Sequence, residues 1–462
     1  MEHYLRPGTL QLGALPPLAV YVHLPWCLKK CPYCDFNSHE LLTPRLAAVA
    51  TPRGGSTRTS EAGSGSVTPR LPAVAAHRGG STRTSEAGSG SVANPGLSPI
   101  TAPAGGSARL DPALERRYLD AVRADLDAAL PLVWGRRVHS VFIGGGTPSL
   151  FSPDGIDRLL GDLRARLPLE PGGEVTLEAN PGTFERARFR AFRAAGVTRL
   201  SIGVQSFDDT LLARIGRVHD GAQARAAVEE AAAAFDTFNL DLMYALPGQD
   251  RAALERDLGL ALSFAPPHLS VYHLTLEPNT RFATHPPAGL PDDDMAADML
   301  DAIVDRTAGA GLARYEVSAF ARPGHPCVHN LNYWRFGDYL GLGAGAHGKL
   351  SFPHRVLRQV RWREPAMYIE RALAGEAVSN EHEVPRAELP FEFMLNALRL
   401  RDGFRFDDYR ARTGLPLSTI EPALAEAERR GLIDLDPAGA RPTARGFDFL
   451  SDLQALFLAP VR

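Results

Sequence analysis

The sequence has only four cysteines among 462 residues, no large excess of one charge and no long apolar run. A formal net charge of −3 gives no electrostatic footprint for nucleic acid. No stretch approaches the roughly 18 apolar residues of a membrane span, and residues 1–10 mix acid and base, so we expect neither an integral membrane segment nor a secretory signal. Because an oxidising compartment would invite disulfides among the three clustered cysteines, a reducing cytoplasm is favoured.

The clustered cysteines follow an apolar run over 18–23, which predicts a short buried strand. Cys27, Cys31 and Cys34 have a C-x3-C-x2-C spacing on a loop with two prolines. Thiolates are the usual ligands of iron–sulfur clusters, and a four-iron cubane normally takes four of them. Three thiolates this close can hold three irons and leave the fourth open to a substrate or cofactor.

A structural zinc site is the alternative interpretation, with His23, Asp35 or His39 as fourth ligand. Structural zinc usually joins two ligand pairs that a longer loop separates, and no second pair follows in this sequence. The spacing therefore favours the iron–sulfur cluster.

A tandem repeat interrupts the chain after this loop. Residues 43–67 recur as 68–92 with three differences. Each unit is rich in Gly, Ser, Thr, Arg and Pro and has too little apolar surface to offset its ordering entropy, so we predict a disordered surface insertion over 41–110. Its seven arginines and two glutamates leave weak contact with anionic partners as an alternative to a passive spacer.

From Asp111 onward, strand and helix patterns alternate. Asp111 followed by Pro112 is a good helix start. Apolar stretches of strand length occur at 138–143, 174–179, 198–203, 238–243 and 268–275, and helical patterns at 112–130, 153–167, 184–195, a stretch ending near 235, and 251–264. Together with the first strand, these predict a six-stranded parallel α/β sheet that is closed or nearly closed on itself.

Beyond about residue 380 the pattern changes to short helices. Three helices, a two-stranded wing and a last helix are predicted at 389–400, 406–413, 418–430, 431–443 and 444–457. This order predicts a winged-helix-like α+β domain over 381–462. Its third helix balances three glutamates with two arginines, which argues against contact with DNA. The other predicted parts are the first strand with the cysteine loop (1–40), the insertion (41–110) and the rest of the sheet with the region after it (111–380).

Polar and glycine-rich positions fall at strand ends, where parallel α/β barrels place their chemistry. The sequence GGGTP at 144–148 ends the second strand, and glycines allow a ligand to approach the backbone closely. Glu178 ends the third strand, Gln205 follows the fourth, and Asp241 lies on the fifth. Taken singly, each is as compatible with a barrel-layer or capping role as with ligand binding.

The segment YVHLPWC-x3-CPYCDFNSH, with the glycine triplet one strand later, resembles the radical S-adenosylmethionine (SAM) proteins. Among them it is most similar to the HemW-type haem chaperones, relatives of oxygen-independent coproporphyrinogen III dehydrogenase. The resemblance covers nearly the whole chain except 41–110. It implies a partial TIM-like (β/α)6 radical-SAM barrel and a 4Fe–4S cluster on the three cysteines. The SAM contacts that it implies are Tyr21, Tyr33, Gly145, Gly146, Thr147, Glu178, Gln205, Arg217 and Asp241.

The fourth cysteine opens a second motif, CVHNLNYW, which matches the HNxxYW motif of the haem-chaperone branch. By resemblance, Cys327 or His329 would ligate haem iron, and Tyr333 and Trp334 would contact the porphyrin. On an extended segment the first two would point the same way. Packing, with the imidazole merely hydrogen-bonded, is the alternative from the residues alone. The following GLGAGAHG, at 341–348, predicts a glycine-rich loop at the barrel mouth.

Two activities compete on this scaffold. The dehydrogenases of porphyrin biosynthesis carry a fourth cysteine two residues after Cys34, where this sequence has Phe36. They also have a longer N-terminal arm, whereas 20 residues precede Tyr21 here. With HNxxYW present, the resemblance implies a haem chaperone that passes haem to an acceptor protein of unknown identity, of which a respiratory protein is one option. Oxidative decarboxylation of coproporphyrinogen III by radical chemistry is the alternative.

Overall fold

The computed structural model describes residues 8–41, 110–182 and 186–458. Its strands are β1 (Leu18–Leu24), β2 (Trp26–Cys27), β3 (His39–Glu40), β4 (Val138–Gly145), β5 (Leu169–Ala179), β6 (Arg199–Gln205), β7 (Thr237–Tyr244), β8 (His268–His273), β9 (Ala313–Arg314), β10 (Ala319–Ala321), β11 (Asp338–Leu342), β12 (His347–Phe352), β13 (Arg355–Arg361), β14 (Val378–Glu383), β15 (Phe404–Arg405), β16 (Ile433–Asp436) and β17 (Gly439–Pro442). Its α-helices are α1 (Pro112–Ala129), α2 (Pro153–Arg166), α3 (Phe189–Ala195), α4 (Asp209–Arg214), α5 (Gly221–Ala234), α6 (Arg251–Ser263), α7 (Arg281–Thr284), α8 (Asp293–Gly309), α9 (Val328–Trp334), α10 (Pro365–Leu373), α11 (Leu389–Ala397), α12 (Phe406–Thr413), α13 (Glu421–Arg429), α14 (Ala444–Asp448) and α15 (Leu450–Ala455). The predicted insertion lies outside the described residues except for its first and last residues, Leu41 and Leu110, which both contact the main apolar core.

The six predicted strands are present and parallel, which confirms the predicted α/β fold. Strands β1, β4, β5, β6, β7 and β8 are neighbours in that order within a twelve-stranded sheet. Parallel neighbours need crossover connections, and α1 supplies the first after the insertion. As predicted, Asp111 begins this helix, because its carboxylate accepts hydrogen bonds from the amides of Ala113 and Leu114, both at 2.9 Å. Within the described ranges, no helix combines the length and apolar character needed to cross a membrane.

The inner face of this sheet is polar. Along β6, Leu200, Ile202 and Val204 lie in the main apolar core, whereas Arg199 and Ser201 alternate with them and face a cavity. Barrel interiors are usually filled by branched apolar side chains. Because polar side chains point inward, the interior of the curved sheet contains a cavity in place of a second apolar core.

A seventh parallel strand, β11, pairs with the free side of β1. Of the glycine-rich loop predicted over 341–348, residues 343–346 form a turn, and the remainder is wrong because β11 runs through Leu342 and β12 begins at His347. A Cβ at Gly341 would overlap the carbonyl oxygen of His347, so glycine is needed there for close strand packing. Between the strands, Gly343 and Gly345 have φ values of 100° and 74°, which suit a tight turn.

A buried ionic cluster anchors the start of β11. Asp338 accepts hydrogen bonds from Arg136 at 2.8 Å, from Lys349 at 2.9 Å and from the hydroxyl of Ser351 at 2.7 Å. Burial lowers the pKa of Lys349 to about 8, although the Asp338 carboxylate opposes the shift. One carboxylate therefore balances the buried ammonium of Lys349 and the partly buried guanidinium of Arg136.

The winged-helix-like domain is confirmed. Helices α11 to α15 and the three-stranded sheet β15-β17-β16 enclose a second apolar core. The last helix, predicted over 444–457, is divided in two because Phe449 leaves helical geometry at φ −105° and ψ 41°. Strand β14 crosses the predicted boundary at residue 380. Leu10, Leu12 and Val356 join the second core from elsewhere in the chain, so the domain packs against the edge of the large sheet.

Candidate functional site

The cysteine loop leaves the carboxyl end of β1 and is closed by the parallel pairing of β2 with β3. Within it, the amide of Lys30 donates to the carboxylate of Glu40 at 2.8 Å. The ammonium group of Lys30 donates to the carbonyl oxygens of Phe36 and Ser38 at 3.1 and 3.3 Å. These hydrogen bonds cross-link the loop and so restrict the positions of the cysteine sulfurs.

The three loop cysteines are free thiols that line one cavity. The hydroxyl of Thr147 donates to Cys27 Sγ at 3.5 Å, and the guanidinium of Arg217 donates to Cys31 Sγ at 3.7 Å. Donors of this kind stabilise thiolates, which are the form that binds metal. Burial raises the pKa of Cys27 to about 11, so a metal centre is what would hold this sulfur deprotonated. The donor set therefore fits an iron–sulfur cluster on Cys27, Cys31 and Cys34.

The surroundings of the loop do not favour the zinc alternative. Both ring nitrogens of His23 are already hydrogen-bonded, to the hydroxyl of Tyr21 and to the carbonyl oxygen of Asn37, each at 2.9 Å. His39 lies 3.3 Å from the amide oxygen of Asn37. In the part of the chain that the structure describes, no three His, Cys, Asp or Glu side chains are close enough to hold one metal ion. In a cubane each thiolate binds its own iron, so the sulfurs need not converge on one ion.

The glycine turn after β4 brings bare backbone to the cavity. Gly145 has φ 117°, and its amide donates to the Glu178 carboxylate at 3.0 Å. A Cβ at Gly146 would lie 2.6 Å from the carbonyl oxygen of Trp26. Larger residues are therefore excluded at both positions, as expected where a ligand meets the main chain.

A hydrogen-bonded chain links the two sides of the cysteine loop. Arg217 donates to the side-chain oxygen of Asn180 at 2.7 Å, and the Asn180 amide donates to the hydroxyl of Thr147 at 2.9 Å. Since Thr147 contacts Cys27 and Arg217 contacts Cys31, Asn180 couples the surroundings of both sulfurs. Sequence reasoning missed Asn180, although a polar residue directly after a buried strand was the signal.

Two partly buried carboxyl groups, those of Glu178 and Asp241, face the same cavity. Burial, together with the nearby negative charge of Asp241, raises the pKa of Glu178 to about 8. Burial also raises the pKa of Asp241, although hydrogen bonds from Asn239 and Ser201, at 2.7 and 3.1 Å, oppose this. A cationic group between these carboxyls would favour their ionised forms. This arrangement suits the amino and sulfonium groups of SAM.

Eight of the nine predicted SAM contacts line this cavity of about 340 Å³ with the three cysteines. The eight are Tyr33, Gly145, Gly146, Thr147, Glu178, Gln205, Arg217 and Asp241. Gln205 adopts φ 65°, a left-handed conformation that is rare outside glycine and often marks functional sites. Tyr21 lies behind the wall, where its ring stacks 6.2 Å from that of Phe142, which does line the cavity.

The haem motif lies on a helix, and the prediction of an extended segment is wrong. Helix α9 covers Val328–Trp334, and Cys327 is its N-cap residue. The amides of Val328 and His329 each donate to the Glu174 carboxylate at 3.0 Å, and the Cys327 thiol donates to it at 3.4 Å. Glu174 belongs to β5, so a distant strand satisfies the amides that begin this helix.

The two candidate haem ligands are enclosed. His329 is 1% exposed, its Nδ1 lies 3.1 Å from the hydroxyl of Ser140, and its ring is 5.0 Å from that of Phe142. Its Nε2 has no hydrogen-bond partner among the described residues. Burial, with a smaller effect from Arg199, lowers the pKa of His329 to about 3 and keeps the imidazole neutral. Burial raises the pKa of Cys327 to about 12 and keeps it a thiol.

The aromatic residues of the motif have partners inside the protein. The ring of Tyr333 is 4.2 Å from that of Tyr339, and the guanidinium of Arg399 lies 4.3 Å above Trp334. Of the motif, Asn330 alone lines the cavity. In this conformation, contact between these aromatic rings and a porphyrin would require their present partners to separate.

A three-cysteine loop after the first strand of a partial parallel barrel, with glycines ending the next strand, defines the radical SAM class of proteins. A family model described as the Radical SAM superfamily matches residues 111–261. A second model, the HemN C-terminal domain, matches 384–449. The second match covers most of the winged-helix-like domain.

Bacterial relatives of this chain carry the name heme chaperone HemW. The chain is 39% identical over 447 residues to heme chaperone HemW of Escherichia coli K12, covering 96% of this chain and 99% of that protein. It is 33% identical to heme chaperone HemW of Mycobacterium tuberculosis H37Rv, with 96% and 95% covered. It is 32% identical to radical S-adenosyl methionine domain-containing protein 1, mitochondrial, of Bos taurus, with 94% and 86% covered. The chain belongs to the HemW family of heme chaperones.

Among solved structures, coproporphyrinogen III oxidase (HemN) of Escherichia coli has a similar fold. The TM-score is 0.69 at 21% identity, with 97% of this chain and 91% of that chain covered. At this identity the similarity describes the fold alone.

Proposed function

We propose that this chain is a haem chaperone, which binds haem and passes it to an acceptor protein, and that it carries a 4Fe–4S cluster with SAM beside it. The observation that carries the proposal is the 39% identity over 99% of a protein named heme chaperone HemW. The proposed site of action is the cytoplasm, where the free thiols of the loop would stay reduced. A respiratory protein is one candidate acceptor.

Position 36 supports the chaperone over the dehydrogenase. Phe36 is 54% exposed and lines the cavity beside the cysteines. The dehydrogenases that this chain resembles carry a cysteine there. An exposed apolar ring cannot replace that thiol chemically, so a step that needs it is unavailable to this chain.

The proposed cofactor site follows the cavity wall. When bound, a cluster with one open iron supplies a place for the amino and carboxylate groups of SAM and an electron for its cleavage. Glu178 and Asp241 would attract the cationic groups of SAM, and Arg217 would balance its carboxylate. The bare backbone at Gly145 and Gly146 would accept the methionine part closely.

For haem, we propose His329 as the iron ligand in preference to Cys327. The Nε2 of His329 carries an unused hydrogen-bonding site, whereas the Cys327 thiol is held by Glu174. Ligation requires α9 to separate from β4, or Phe142 to move away from the imidazole. Tyr333 and Trp334 would then lose their internal contacts and gain contacts with the porphyrin. Each aromatic pair formed contributes about 1 kcal/mol.

The test is a parallel assay of anaerobically reconstituted protein. Haem titration should saturate at one haem per chain with a defined Soret band, and transfer to an apo-acceptor should follow. The same preparation should leave coproporphyrinogen III unconverted in the presence of SAM and a reductant. Conversion without haem binding would instead establish the dehydrogenase alternative.

Substitutions separate the two candidate ligands. His329→Ala should weaken haem binding at least tenfold or shift the Soret band, whereas Cys327→Ala should do neither. His382→Ala is the matched control, because that histidine is exposed on β14. Equal haem titrations for wild type and His329→Ala would remove this residue from the haem site.

A further inference from the structure

Arg199 is a buried cation on the cavity wall. It is the first residue of β6, it is 3% exposed, and its side chain lines the cavity. Among residues 8–41, 110–182 and 186–458, its Nε has no hydrogen-bond partner, and its guanidinium forms no ion pair within 4 Å. Buried charges are normally paired, because leaving water is costly. A guanidinium on a cavity wall with an unsatisfied donor is therefore suited to bind an anionic ligand.

The two carboxylates that act electrostatically on Arg199 are already engaged. Glu174 accepts from the N-terminus of α9, as described above, and Asp241 accepts from Asn239 and Ser201. Both interact with Arg199 only at longer range. Of the donors of this guanidinium, Nε is therefore left without a hydrogen-bond partner among the described residues.

Other side chains of the cavity wall offer donors of suitable type. Asn330 lines the same cavity as Arg199. Arg399 adds a second guanidinium, whose ion pair with Glu316 is long, at 3.7 Å. Besides its carboxyl groups, the cavity wall therefore carries two guanidinium groups and the side-chain amide of Asn330.

Arg199 lies at the opposite end of β6 from the cysteine loop, although Glu178, a predicted SAM contact, is paired in register with Ser201, two residues away. Strand β6 has seven residues, so its two ends lie roughly 20 Å apart at about 3.3 Å per residue. Gln205 at the carboxyl end is among the predicted SAM contacts, and Arg199 is at the other end. The amino acid carboxylate of SAM, placed beside Arg217 and the cysteines, cannot also reach Arg199.

We propose that Arg199, assisted by Asn330 and Arg399, binds a carboxylate side chain of the organic molecule that enters the cavity, and that this molecule is a tetrapyrrole. A guanidinium fork matches a carboxylate in two parallel hydrogen bonds. The choice of a tetrapyrrole rests on the proposed function, whereas the anion site rests on Arg199 alone.

The main test compares a metal-free porphyrin acid with its ester, so that iron ligation plays no part. Wild-type reconstituted protein should bind coproporphyrin III about 10- to 100-fold more tightly than its tetramethyl ester in fluorescence titrations. Arg199→Gln should remove this preference, and Arg199→Lys should retain part of it. Arg190→Gln is the control, because Arg190 is exposed and pairs with Glu230 at the surface.

Stability separates a binding role from a structural one. Removing an unpaired buried charge should leave the melting temperature of Arg199→Gln unchanged or raise it. If the melting temperature of Arg199→Gln instead falls so far that the variant unfolds before it can be titrated, Arg199 is a structural residue and the proposal is overturned.

A second measurement keeps the anion site independent of haem binding. Anomalous diffraction from wild-type crystals soaked in bromide should place a bromide ion within hydrogen-bonding distance of the Arg199 guanidinium. No peak there overturns the anion site. A peak combined with an undiminished acid preference in Arg199→Gln overturns the carboxylate assignment. If wild type binds neither haem nor porphyrin, the proposed function and the tetrapyrrole fail, and the bromide result alone decides the anion site.

Discussion

Replacing Glu178 by glutamine should stabilise the protein at neutral pH while weakening its binding of SAM. The Gly145 amide, which donates to Glu178 at 3.0 Å, can donate equally well to a glutamine oxygen. What the substitution removes is a carboxyl group that burial and Asp241 keep protonated, with a pKa of about 8 in place of 4.5. The variant is therefore nearly isosteric and differs from wild type in its ability to ionise.

The sign follows from proton linkage. Between pH 4.5 and 8 the folded wild type binds a proton at Glu178 that the unfolded chain has released, so wild-type stability falls as pH rises through this window. At about 1.4 kcal/mol per pH unit, the loss by pH 7 reaches up to about 3 kcal/mol, and water in the cavity reduces it. Glu178→Gln avoids this loss. For a chain of this length, the gain corresponds to at most about 3 °C in Tm.

The assay is thermal unfolding of cluster-free wild type and Glu178→Gln between pH 5 and 8, with Glu230→Gln as a surface control. The difference in stability between Glu178→Gln and wild type should grow with pH, while the control should show no trend. With the cluster rebuilt, SAM should bind the variant about 10- to 100-fold more weakly, because a charged hydrogen bond is lost. A pH-independent difference would show that Glu178 is already ionised in the folded protein and would refute the reasoning about paired carboxyls.

Two further predictions concern the cluster loop and the ionic cluster below β11. Cys34→Ser should abolish the content of about four irons and four sulfides per chain that a cubane gives, and finding one zinc without sulfide in wild type would contradict the cluster. Asp338→Asn should destabilise the fold by about 3 to 5 kcal/mol in chemical unfolding, because Lys349 and Arg136 lose their shared carboxylate. Glu230→Gln, which breaks the exposed ion pair with Arg190, should cost less than about 1 kcal/mol. Equal losses of stability in the two variants would show that burial does not determine the contribution of Asp338.

The local features of this protein were predictable from the sequence. The C-x3-C-x2-C loop needed only its spacing, and the six parallel strands needed only apolar runs that alternate with helical patterns. The start of α1 followed from Asp111 and Pro112, since an N-cap acts on amides two and three residues away. Each of these signals operates within a few residues of the chain, which is why the sequence alone carries it.

Features that depend on distant partners were decided by the tertiary structure. Segment 327–334 is helical because Glu174, on another strand, accepts from its first amides. Segment 341–348 forms parts of two strands because β1 lies beside it. Arg199 belonged to an apolar strand in the sequence, and only the curvature of the sheet shows that it faces a cavity without a counter-ion. Local propensity cannot specify these contacts, because their free energy arises when strands far apart in the chain pack together.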